Sequence, residues 1–166
     1  GGPAYPASLV AACRLSANSV CRLLRHLDGI HAGTALRMSD DICTALPLIN
    51  FWQDLSIDIP RGRYYLPQQD CVTRGVTFAD LLALRQTPNA TILIADQASV
   101  SRQLMHNGSR LVHQIPGRAG WELRLVVQGG LRVLDKIEAL NFATLTSRPK
   151  LRHSDLALMV WRSSWM

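Results

Sequence analysis

Leu46-Pro-Leu-Ile-Asn-Phe-Trp-Gln-Asp-Leu-Ser-Ile-Asp-Ile-Pro60 is the stretch that decides the fold. Its apolar residues, Leu46, Leu48, Ile49, Phe51, Trp52, Leu55 and Ile57, go nearly all the way round a helix. A helix apolar on most sides is one buried among others. Asn50, Asp54 and Asp58 fall at i, i+4 and i+8, which at about 100° per residue gathers them within roughly 80° of arc on one face. Ionised carboxylates facing a bundle interior need strong compensation, or their pKa values rise. A hard divalent cation supplies it: Mg²⁺ takes oxygen ligands, keeps several waters, and bridges one or two carboxylates to substrate phosphates. The spacing alone also describes a solvated helix end; the apolar surround turns the reading toward a site.

The next residues, Arg61-Gly62-Arg63-Tyr64-Tyr65-Leu66-Pro67, bring two guanidiniums and two phenols close to Asp58 in sequence. Arginine forks bind phosphate oxygens bidentately. Solvent exposure, or an ion pair with Asp58 itself, equally accounts for the arginines, and packing under the loop accounts for the tyrosines.

Outward from this segment the pattern is helical almost throughout. Leu9, Val10, Cys13, Ala17, Val20, Leu23, Leu24 and Leu27 recur at helical spacing after Pro6, with Gly29 as the stop. Ser39 reads as an N-cap with Asp40 and Asp41 in the first turn, and that helix is expected to run to about Ile59. Residues 60–76 read as a long irregular loop. Thr77 caps a short helix from Phe78 to Arg85, and a long one follows from about Asn89 to Leu111. Pro116-Gly117 is a break, a further helix runs from Ala119 to about Leu140 despite Gly129-Gly130, and Ser154 caps a last short helix. No alternating β pattern of useful length interrupts these. The expectation is an all-α bundle, residues 1–166 forming one domain.

The 166 residues are 48% apolar and carry a net charge of +6, enough apolar material for a core and too much for disorder. No run approaches the ~18 residues of a membrane span. The charge is uneven: residues 1–38 hold four Arg and one Asp (+3), residues 39–116 six Arg and seven Asp (−1), and residues 117–166 six Arg, two Lys and four acids (+4). An acidic middle with basic flanks suits a polyanion held through a cation bridge, and also weak attraction to anionic lipid. No basic-aromatic stripe points to nucleic acid. The four cysteines form no Cys-x-x-Cys pair and the five histidines no His-Glu-x-x-His, so structural zinc is not expected, and a reducing, cytoplasmic setting is. The opening Gly1-Gly2-Pro3 has no signal-peptide character and reads as a chain entered partway through.

Asn50-Phe-Trp-Gln-Asp54-Leu-Ser-Ile-Asp58, followed by Gly62-Arg63-Tyr64-Tyr65-Leu66-Pro67, resembles the second aspartate-rich motif of the squalene and phytoene synthase family, the head-to-head isoprenoid synthases. Cys13-Arg-Leu-Ser16-Ala17-Asn18-Ser-Val20 is similar to the family's Ser-Ala-Asn-Pro-Val segment. Pro116-Gly-Arg-Ala-Gly-Trp-Glu-Leu-Arg124 and Gln128-Gly-Gly-Leu-Arg-Val-Leu-Asp-Lys-Ile137 are similar to its C-terminal helices. The Phe-Trp-Gln-Asp wording and the Gly-Gly-Leu-Arg segment look most like the bacterial hopanoid-pathway branch that makes hydroxysqualene. The resemblance implies an all-α isoprenoid synthase fold in which two aspartate-rich motifs hold Mg²⁺ against a prenyl diphosphate, farnesyl or presqualene. Diphosphate departure then gives a cation shielded in an apolar cavity. By motif match Asp54 and Asp58, supported by Asn50, approach Mg²⁺, while Asn18, Gln53, Arg63 and Tyr65 lie on the substrate side. Contact with a membrane face is compatible with a lipid product.

The chain departs from the family at several points. Asp54 to Asp58 is its one Asp-x-x-x-Asp, so the first aspartate-rich motif is missing and the chain is expected to be the C-terminal portion of such an enzyme. Ala12 stands where the family has Tyr, Ser19 where this branch has Pro, and Cys21 where it has Gly. Pro47 stands where the family has a Gln facing the diphosphate. A proline inside a helix deletes a hydrogen bond, here to Cys43, and costs ~3 kcal/mol or kinks the helix; such a kink would re-aim the stripe. A phytoene synthase of carotenoid biosynthesis, and an inactive fragment serving only as a binding module, are the alternatives.

Overall fold

The computed structural model describes residues 32–166. The expected first helix and Asn18 lie outside the described residues. Every regular element among them is helical: α1 (Ala32–Gln53), α2 (Leu55–Asp58) with a 3₁₀ turn Ile59–Arg61, α3 (Gln68–Arg74), α4 (Phe78–Leu82), α5 (Pro88–Ser109) with a 3₁₀ turn Arg110–His113, α6 (Gly117–Ala139) and α7 (His153–Ser164).

Local chemistry accounts for several of these boundaries. At α4 the Thr77 side chain accepts from the Asp80 N–H while the Asp80 carboxylate accepts from Thr77, a reciprocal capping box. At α5 the Thr87 hydroxyl accepts from the Ala90 N–H and Pro88 takes the first helical position, where its missing N–H costs nothing.

The two 22-residue helices α1 and α5 lie along one another, and α6 packs against both. Ile42, Ala45, Leu48, Ile49 and Trp52 of α1 are buried, as are Leu93, Ile94, Ala98 and Met105 of α5 and Leu123, Val127, Leu134 and Ile137 of α6. The Trp52 indole N–H donates to Ser101 Oγ at 2.9 Å, and that hydroxyl donates to the Gln97 carbonyl at 3.0 Å, so the one polar atom of this tryptophan is satisfied inside the core. Two glycines set how closely the helices approach. A Cβ at Gly130 would lie 2.7 Å from Met105 Cε and 3.3 Å from Ile49 Cδ1, where α6 meets both long helices, and one at Gly108 would lie 2.5 Å from Ile42 Cγ1 and 2.6 Å from the Met38 carbonyl. The Gly129-Gly130 pair thus sits in a helix that needs a small residue at its crossing.

α7 is tied to α6 by charge. Asp155, 2% exposed, accepts from the Arg152 N–H at 2.6 Å, from Lys136 at 2.9 Å and from Arg132 at 2.8 Å. These bonds, the backbone one foremost, hold its carboxyl well below the ordinary range. The opposite face of α7 is apolar and exposed through Leu156, Val160 and Trp161, and Trp165 is exposed just past its end. No described helix is long and apolar enough to cross a membrane.

Five expectations need correction. The helix expected to run to about Ile59 ends at Gln53 and resumes as α2 after Asp54. Ser39 is no cap: α1 already runs from Ala32, and Ser39 is buried inside it with Oγ 3.9 Å from Cys43 Sγ. Pro47 does not break α1, which continues through it to Gln53. The flanking Ala45, Leu48 and Ile49 are fully buried, and burial at about 1.5–3 kcal/mol per large apolar side chain outweighs one missing hydrogen bond. The stretch from 60 to 76 contains α3, closed by Gly75 at φ 67°. At α7 the capping position belongs to Arg152, with Ser154 inside the helix.

Gly108→Ala is expected to lower stability by about 1–3 kcal/mol, because the added methyl meets a backbone carbonyl that cannot rotate away. The roughly 1 kcal/mol of helix propensity gained does not offset that. Urea unfolding checks this.

Candidate active site

The helix carrying the aspartates breaks at the first of them. Asp54 takes φ −104° and ψ 11°, a sparsely allowed backbone region frequent among active-site residues. Its N–H still reaches the Asn50 carbonyl at 3.0 Å. Two residues on, the Ser56 N–H donates to the Thr144 carbonyl at 3.1 Å, leaving the helical ladder. The chain resumes as α2, with the Asp58 N–H back on the Asp54 carbonyl at 2.9 Å.

The partner of this break is the segment after α6, residues 141–149, which crosses the end of α1 as a strap. It reverses direction through Asn141 and Phe142, both at positive φ (50° and 58°). Gln86 clamps it, donating to the Phe142 carbonyl at 3.3 Å and accepting from the Leu145 N–H at 3.2 Å. Thr144 and Leu145 are fully buried. The Gln53 side chain donates to the Pro149 carbonyl at 2.7 Å. Gln53 and Ser56, on either side of Asp54, therefore anchor the strap at both ends.

Between those anchors lies Arg148. Its Nε donates to Asp54 Oδ1 at 2.6 Å and its Nη2 to Oδ2 at 3.2 Å, a fork on both carboxylate oxygens. The bonds to Asp54 foremost, with the charges of Asp54 and Asp58 adding to them, raise the Arg148 pKa above its ordinary value. Arg148 also lines a cleft of about 580 Å³ with Lys136, Lys150 and Arg152.

Asp58 is buried, and its carboxylate accepts from Arg63 at 3.5 Å. Gly62, at φ 75°, turns the chain so that the Arg63 N–H returns to the Asp58 carbonyl at 3.0 Å. The two tyrosines part company. Tyr65 stacks on Phe51 with ring centroids 3.8 Å apart, whereas Tyr64 tilts against Phe78 and lines a separate apolar cleft of about 740 Å³ with Leu66, Val76 and Leu81.

Of the residues singled out from sequence, Asp54 is paired with Arg148 and Asp58 with Arg63. Asn50 stands one turn earlier and is exposed; Tyr65 is held on Phe51; Gln53 is turned to the strap. Arg148 is the residue that sequence reasoning missed. Its neighbourhood reads as a helix break, and its only signal is the basic character of residues 117–166. Among the described residues no three His, Cys, Asp or Glu side chains converge to hold a metal. What the chain offers is two carboxylates one turn apart, Asp54 paired with Arg148 and Asp58 with Arg63, and an exposed Asn50 one turn before them. That donor set is all hard oxygen and fits Mg²⁺ completed by waters and phosphate oxygens.

The sequence profile described as Squalene/phytoene synthase matches residues 7–155. The chain belongs to the squalene/phytoene synthase family. It is 30% identical to the phytoene synthase of Thermus thermophilus over 155 residues, 93% of this chain and 53% of that protein. It is 27% identical to the chloroplastic phytoene synthase 2 of Solanum lycopersicum over 101 residues, 61% of this chain and 33% of that one. The crystal structure of squalene synthase HpnC from Alicyclobacillus acidocaldarius superposes with a TM-score of 0.72 at 34% identity, covering 81% of this chain and 51% of that one. The all-α fold of this family member is thus the isoprenoid synthase fold of HpnC. The chain spans about half the length of the Thermus protein and of HpnC.

Gln53→Leu, similar in volume but unable to donate to Pro149, is expected to cost about 1 kcal/mol. It should also speed amide hydrogen exchange in residues 146–150, with α5 exchange unchanged.

Proposed function

We propose that this chain carries the second cation-and-diphosphate half-site of a prenyl-transferring synthase, acting on farnesyl or presqualene diphosphate to give hydroxysqualene where water captures the final cation, or squalene where a hydride donor reduces it. The observation that carries the reading is the Arg148 fork on Asp54 at the break in an apolar helix, one turn before the buried Asp58 and beside a basic cleft. Mg²⁺ bound at the two carboxylates would supply positive charge to a diphosphate as its allylic or cyclopropylcarbinyl C–O bond ionises. The chain's own part is positional. Asp54 and Asp58 hold the cation, with Asn50 one turn away. Arg148, Lys150 and Arg152 offer donors to the outer phosphate oxygens, and Arg63 with Tyr65 covers the Asp58 side. Fixed charges of this kind, placed before the reaction begins, are the main electrostatic contribution an enzyme can make to a departing anion.

The likeness to HpnC, named a squalene synthase, supports a squalene-type product. The Thermus and tomato relatives, named phytoene synthases, support the second reading, a phytoene synthase. Both readings use the same half-site.

The test is calorimetric titration of the chain with a non-hydrolysable farnesyl diphosphate analogue, with and without Mg²⁺. Binding is expected to depend on Mg²⁺ and to weaken at least about tenfold in Asp54→Asn and in Asp58→Asn, since each removes a charged ligand. Absence of binding in both conditions, from chain shown to be folded, would reject the reading in favour of a non-catalytic interaction module.

A further inference from the structure

The Arg148 fork engages both oxygens of Asp54, the atoms a metal ion would need. We infer that Arg148 is a built-in counter-ion that competes with the cation for Asp54, so that loading the site is an exchange of one positive group for another. The inference rests on the half-site reading above and adds a control on it.

Three features support an exchange over a fixed structural pair. First, the strap does not depend on the ion pair for its position. Thr144 is held by the Ser56 N–H, Pro149 by Gln53, and the 142–145 turn by Gln86. Arg148 can leave Asp54 by side-chain rotation with the backbone staying where it is. Secondly, the pair is partly open to water: the side chains of Arg148 and Asp54 are 39% and 26% exposed. Ion pairs at such sites contribute little, which is within reach of a divalent ion to displace. Thirdly, the released guanidinium can be solvated, because Arg148 already borders an open cleft of about 580 Å³; the like charges of Lys136, Lys150 and Arg152 on that cleft limit the release to what water or an anion there compensates. Without the cation, the pair keeps Asp54 from standing uncompensated against the apolar end of α1. Asp58 has its own, longer contact at 3.5 Å with Arg63, so the competition is concentrated at Asp54.

Mn²⁺, a hard-oxygen analogue of Mg²⁺ with a spin signal, tests the exchange without any substrate or turnover. Free Mn²⁺ is followed by electron paramagnetic resonance at physiological salt in the unmodified chain and in Arg148→Gln, Arg148→Lys, Asp54→Asn and Arg61→Gln. Arg61→Gln removes the same charge from an exposed side chain beyond Asp58. The expected result is Mn²⁺ binding that Asp54→Asn abolishes, that Arg148→Gln tightens about two- to fivefold, and that Arg148→Lys and Arg61→Gln change less. If Asp54→Asn abolishes binding but Arg148→Gln leaves it unchanged or weaker, Arg148 is a structural partner only and the exchange is wrong. An equal gain in Arg61→Gln would reduce the effect to net charge and also overturn it. No binding in any folded variant would overturn the half-site reading itself.

Discussion

Two carboxylates one turn apart at the apolar end of a buried helix are each met by an arginine, and the strap that brings one of these is seated by hydrogen bonds of its own. Charge taken out of water is costly unless it is paired. Here pairing comes from opposite ends of the described chain: Arg63 is five residues from Asp58, and Arg148 is 94 residues from Asp54. Bringing Arg148 into place requires α6 to end, two residues with side chains to turn through positive φ, and a strap to cross the end of α1. The strap in turn gives its Thr144 carbonyl to the Ser56 N–H, and the helix breaks where that bond forms. Break, strap and ion pair therefore form one construction.

The uneven charge along the sequence acquires a spatial meaning in this arrangement. The acidic middle holds Asp54 and Asp58, and the basic last third supplies Arg148, Lys150 and Arg152. A second meeting of the same kind, Asp155 with Arg132, Lys136 and the Arg152 N–H, fixes α7 where the strap ends. The two differ in accessibility. Asp155 is sealed and its donors are committed, whereas Asp54 is reachable from solvent and borders a cleft. Sealed charge serves the fold, and reachable charge is available to a ligand.

The helical class and the Thr77 cap were legible because each depends on neighbours a few residues apart. The stretch Asn50 to Asp58 with its Gly-Arg-Tyr-Tyr-Leu-Pro tail carried the family by itself. The misreadings concern long-range forces. Pro47 looked like the point of fracture on local grounds, yet packing on both sides carries the helix through it, and the fracture comes at Asp54 because a carbonyl far along the chain competes for the Ser56 N–H. Ser39 looked like a cap because a polar residue before two aspartates is a good one, but its side chain is inside the bundle. Apart from these, Gln53 sat within the motif and read as a substrate contact; its side-chain amide donates to the Pro149 carbonyl, a bond to a residue no local pattern could name. Arg148 had no local signal, since what identifies it is the carboxylate it reaches.

The central claim is that Asp54 and Arg148 are energetically coupled across the fold. A double-mutant cycle tests it most directly: urea unfolding, in metal-free buffer, of the unmodified chain, Asp54→Asn, Arg148→Gln and the double variant. The account predicts a favourable coupling of about 0.5–1 kcal/mol, the double variant losing less than the two single variants added together. Effects that add to within ~0.3 kcal/mol would contradict it, and would leave the strap as packing with no electrostatic tie to the aspartates.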